Sequence, residues 1–152
     1  MQTLNVGAGR TDDEYKAAEE QRRADLRAES RSDANYFFVA ALLAALGSGL
    51  FLVRVGIFVN IGAIDLLALY AHLHGLALTG AAAIWLAILV GLGFAAQKGL
   101  RWAFWAGVVL YGADMIALAV TFSVWSIGVH GFFVFKWFQG QKALQDLEEA
   151  AA

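Results

Sequence analysis

From Met1 to Asn35 the chain is mostly polar, and from Tyr36 to Gln141 it is almost continuously apolar. This pattern divides it into a polar head (1–35), an apolar body (36–141) and a polar tail (142–152). Within the head, "TDDEYKAAEEQRRADLRAES" predicts a charged helix over 12–31, following a disordered start. Thr11 and Glu14 have capping-box spacing, acids crowd the first turns, and Glu19 and Arg23 form an i,i+4 pair. Such a helix is expected to be solvated, with docking to a partner as the alternative.

The body predicts four transmembrane helices, at 36–53, 76–96, 102–123 and 124–139. The first, "YFFVAALLAALGSGLFLV", makes about 27 Å of helix, just enough for a hydrocarbon core. Small residues recur every fourth position at Ala41, Ala45 and Gly49, and again at Ala83, Ala87, Gly91 and Ala95. Stripes of this kind let helix backbones approach closely in lipid, so the first two spans are expected to pack along them. Gly47-Ser48-Gly49 is read as part of that packing rather than as a protease loop. The segment 55–75 is long enough to span, but only Arg54 separates it from the first helix. It is therefore expected to be an interfacial or re-entrant helix on the outer side. Five spans with the N-terminus outside is the alternative.

Charge decides between these topologies. The head carries six of the 11 Lys/Arg and eight of the 13 Asp/Glu, whereas 36–141 holds only Arg54, Asp65, Lys98, Arg101, Asp114 and Lys136. With four spans, the head, the Lys98/Arg101 loop and the Lys136/Lys142 end share one side, the positive-inside arrangement. Both termini are then cytoplasmic. The last helix is expected to run into the tail and fray, because its terminal acids oppose the helix dipole. Trp102, Trp105, Trp125 and Trp137 are expected to anchor the bundle at its interfaces. A net charge of −2 argues against a nucleic-acid partner. The absence of cysteine excludes disulfides and thiolate chemistry, and the absence of proline leaves glycine or local irregularity as the source of any kink.

The candidate chemistry centres on Asp114, in the middle of the third span. A central Asp costs about 2.5–3.5 kcal/mol to insert, against about 0.3–0.6 kcal/mol returned by each Leu, Ile, Val or Phe. The span is thus marginal unless the carboxyl finds a partner or is neutralised. Asp114 shares a helix face with Gly107, Tyr111, Ala117 and Thr121, which should point into the bundle. In an antiparallel hairpin turning near residues 120–125, residues at equal depth have numbers summing to about 240–250. His130 and Lys136 both satisfy this for Asp114. They lie on faces about 120° apart, so at most one should meet it directly. His130 is preferred, because Lys136 can snorkel. Arg54, Asp65 and His72 fall on one face and form an expected outer polar stripe. His72 and His74 point to different sides of a helix, which disfavours a metal pair.

At "GVVLYGADMIAL" and "GVHGFFVFKWFQGQKALQDL" the final hairpin resembles a loose class of small, uncharacterised bacterial inner-membrane proteins. The resemblance implies four spans in a bacterial inner membrane and carries over no activity.

The expected fold is therefore an all-α four-helix transmembrane bundle with an outer interfacial helix and a cytoplasmic polar helix. The expected role is structural or interactive, as a homo-oligomer or an accessory of a larger membrane complex, with the lipid bilayer as its surroundings. No catalytic constellation, metal site or cofactor is expected. Two alternatives are a small proton-coupled transporter or channel using Asp114 and His130, and a haem-binding electron carrier using His72 or His74 with His130.

Overall fold

The computed structural model describes residues 12–52, 76–120 and 124–150. These form four helices: α1 (Asp12–Leu52), α2 (Leu76–Gln97), α3 (Arg101–Val120) and α4 (Val124–Glu149). Among the described residues there is no strand. The segment 55–75, with its proposed interfacial helix, lies outside them.

The helices run alternately up and down. α1 packs between α2 and α4, and α3 closes the ring against α4 and α2. The α3–α4 hairpin has the expected register. Tyr111 meets Phe133, Trp105 meets Phe138, and Asp114 meets His130, each pair summing to a number between 240 and 250.

One helix limit differs from the expectation. The charged helix and the first span are one continuous helix of 41 residues, about 60 Å long. Ser30, Asp33 and Asn35 have modest helix propensity, but no proline or glycine interrupts them. Ser30 and Asp33 are also buried, so tertiary contact carries the helix through this stretch. At the other end, α4 runs on into the tail and is helical through Glu149. Glu148 there pairs with Arg101 at 2.6 Å, and the Arg23 guanidinium donates to the carbonyl of Ala150. These contacts tie the end of α4 to α3 and α1.

The α2–α3 turn is a glycine-capped helix end. Gly99 has φ +80°, its N–H donates to Ala96 O, and the N–H of Leu100 donates to Ala95 O. This pairing uses up carbonyls that the last turn of α2 leaves free, and it requires a left-handed residue.

Aromatic side chains from all four helices fill the core. Phe37 of α1 stacks on Trp137 of α4, with centroids 4.1 Å apart. Tyr111 of α3 lies against Trp85 of α2 and against His130, Phe133 and Trp137 of α4. Glycines make room for this packing. A Cβ on Gly107 would lie 2.6 Å from the Phe37 ring and 2.8 Å from Trp137, and one on Gly140 would lie 2.5 Å from Phe104. Trp137 is thus a fully buried core residue and not an interfacial anchor. Trp102 and Trp105 do face outward.

The small-residue stripe of α2 is not where α1 packs. Ala83, Ala87 and Gly91 are exposed, Ala95 is half-buried, and a Cβ on Gly91 would meet nothing within 4 Å. The buried face of α2 is Ala82, Leu89, Leu92, Gly93 and Ala96, with Phe37 and Phe38 of α1 resting on Gly93. On α1, Ala41 is buried but Ala45 is exposed, and the inward face follows Ala34, Phe37, Ala40, Ala41 and Ala44. Gly49 is in the helix, but its environment lies outside the described side chains. Small residues allow close approach without requiring it. Here the volumes of Phe37 and Phe38 select the glycine at 93.

Among the described residues, one stretch, Thr79–Gln97, is long and apolar enough to cross a membrane.

Candidate functional site

Asp114 sits near the middle of α3 because its face also carries Gly107 and Tyr111, the face that enters the core. Across the hairpin, α4 presents His130 at the same depth. Asp114 Oδ2 and His130 Nε2 are 2.6 Å apart, with the two side chains 3% and 0% exposed. The two atoms are within ion-pair distance and both are buried. Two lone pairs at this distance would repel, so one of the two atoms carries a proton. The pair is a salt bridge if His130 is protonated, and a neutral acid–imidazole contact if the proton rests on Asp114.

Tyr111 forms the wall of this site. Its ring lies 4.8 Å from the His130 ring, and its hydroxyl is buried with no hydrogen-bond partner among the described residues. The indole N–H groups of Trp85 and Trp137, whose rings pack on Tyr111, are in the same situation. The centre of the bundle thus combines one acid–base pair, which joins α3 to α4, with three buried donors.

Lys136 does not reach Asp114. Its Nζ lies 3.5 Å from Asp33 Oδ1 and 3.0 Å from Gln139 Oε1, and 5.5 Å from the centre of the Tyr36 ring. Asp33, which the sequence pattern assigns to the polar head, therefore forms a second buried polar contact, between α1 and α4. Its carboxyl is raised above the ordinary 3.8 by burial, an effect that Lys136 opposes by its charge and hydrogen bond. One signal could have found it. The buried face of α1, followed back from Phe37 at helical spacing, passes through Asp33 and Ser30.

Thr121, Arg54, Asp65, His72 and His74 lie outside the described residues. Compared with known proteins, the chain matches no family model, no curated protein and no solved structure.

Proposed function

We propose that this chain is an integral membrane bundle of four spans, with both termini on the cytoplasmic side of a bacterial inner membrane. We further propose that it acts as a structural or interaction component, as a homo-oligomer or within a larger membrane complex. The observation that carries the reading is the outer surface. Leu42 and Leu46 on α1, Ile84 and Phe94 on α2, Val109 and Ile116 on α3, and Phe135 and Phe138 on α4 all face outward, each about half exposed or more. A bundle bathed in water places polar side chains there. This one places apolar side chains outside and its acid–base pair inside, which suits lipid as the surrounding solvent. The convergence of Arg23, Arg101 and the end of α4 supports a shared side for the head and tail.

Membrane fractionation with alkaline extraction tests the reading. The protein should stay with the membrane pellet, and reporter fusions at both ends should report the same compartment. Release into the supernatant, or reporters in opposite compartments, would overturn it.

A second reading, a proton-coupled transporter or channel, is favoured by the close, buried Asp114–His130 contact against the Tyr111 ring. Its test is pH-driven flux in proteoliposomes. Flux that Asp114→Asn abolishes supports it, and absent or unchanged flux rejects it.

A further inference from the structure

Between α1 and α2, at the end of the bundle where the head, the α2–α3 turn and the tail converge, lies a cleft of about 450 Å³. Arg31, Asn35, Phe94, Gln97 and Lys98 line it. Arg101 is paired with Glu148 and Lys136 with Asp33, whereas neither Arg31 nor Lys98 pairs with a carboxylate among the described residues. Among the described residues no carboxylate lines the cleft either. The Gln97 side chain donates to Asn35 Oδ1 at 2.9 Å, which ties the two walls together and leaves the Asn35 amide N–H groups as further donors.

The chemistry then changes sharply along both helices. On α1, the face bearing Arg31 and Asn35 continues one turn on as Phe38 and then the exposed Leu42. On α2, Phe94 packs edge-on against Phe38, with centroids 5.2 Å apart, and closes the apolar side of the cleft. Ala87 and Ala83 continue that face at helical spacing, exposed and small. The result is a cationic mouth opening directly onto an apolar seam.

We propose that this cleft binds the phosphate group of an anionic phospholipid, with one acyl chain lying along the seam between α1 and α2. The proposal rests on the membrane reading above. A phosphate group is recognised by the Arg31 fork and the Lys98 ammonium. The seam selects the lipid form, since a free phosphate has nothing to place against Phe94 and Leu42.

The test is a lipid titration of the intact protein, read by native mass spectrometry. The probes are phosphatidylglycerol, phosphatidylcholine and inorganic phosphate. Phosphatidylglycerol should bind best, and the double variant Arg31→Gln/Lys98→Gln should weaken it about thirtyfold. Both residues are exposed, so the variant should fold. A control that removes two head cations elsewhere, Lys16→Gln/Arg22→Gln, should leave the affinity unchanged. Equal binding of phosphatidylglycerol to the wild type and the cleft variant would overturn the proposal, as would an equal loss in the control. Inorganic phosphate binding as tightly as phosphatidylglycerol would overturn the lipid assignment. Insertion into phosphatidylcholine nanodiscs separates the two readings: failure to insert removes the membrane reading and this one together, while insertion without a lipid preference removes this one alone.

Discussion

Asp114 of α3 and His130 of α4 meet at 2.6 Å in the centre of the bundle, both buried, with the Tyr111 ring against the imidazole. Removing one partner takes the closest polar contact from the other in a medium that solvates it poorly. Asp114→Leu should therefore destabilise the protein by about 3 kcal/mol. Asp114→Leu/His130→Leu should recover most of that loss, because neither member of the pair is then left in the core without the other. Thermal unfolding in detergent measures both. A double variant no more stable than the single one would show that the pair does not act as a unit.

Gly107 and Gly91 should respond oppositely to the same substitution. A Cβ at 107 would press on Phe37 and Trp137, and neither ring has room to withdraw. Gly107→Ala should cost about 1–3 kcal/mol. Gly91 faces outward, and a methyl group added there would meet nothing within 4 Å, so Gly91→Ala should be neutral or stabilise by up to about 1 kcal/mol through helix propensity. Unfolding of the two variants side by side checks this, and a similar loss in both would contradict the packing described.

Gly99 is required for another reason, its backbone. With φ at +80°, Gly99→Ala forces a Cβ into the left-handed region at the end of α2. The expected loss is about 1–2 kcal/mol, even though the nearest side-chain atom, on Leu144, is 3.9 Å away. Asparagine, which tolerates this conformation better, should cost less than alanine in the same unfolding assay.

Asp33 should give the bundle a pH dependence of definite sign. Burial raises its native pKa above the ordinary 3.8, so between those two values the folded chain holds a proton that the unfolded chain has lost. The stability this contributes is fully present below 3.8 and is lost as pH rises through the native value. Asp33→Asn should flatten that slope. Lys136→Met removes the charge and the hydrogen bond that oppose burial, and should move the Asp33 titration further upward. Melting temperature against pH, measured for wild type and both variants, is the check. A downward shift in Lys136→Met would reverse the assigned roles.

The polar contacts differ in how far the sequence reveals them. Asp114 stands out because it is a lone carboxylate in an apolar run, and hairpin geometry narrows its partner to a few residues. Asp33 does not stand out, because it lies among many charges and only the path of α1 beside α4 buries it. Arg31 and Lys98 are far apart in the chain, and the cleft between them exists only once α1 and α2 are side by side.

The sequence alone determined the helices α2 and α3 and the start of α4 to within a few residues, the depth at which Asp114 meets His130, and the common end of the charged segments. Length, turn position and the separation of charge from apolar residues are sufficient for that. Tertiary structure decided which way each helix faces. On a helix that is apolar on every side there is no polar stripe to mark the outside, so rotation about its axis is set by shape. Phe37, Tyr111 and Trp137 need the spaces left by Gly93, Gly107 and Gly140, and satisfying them turns Ala83, Ala87 and Gly91 outward.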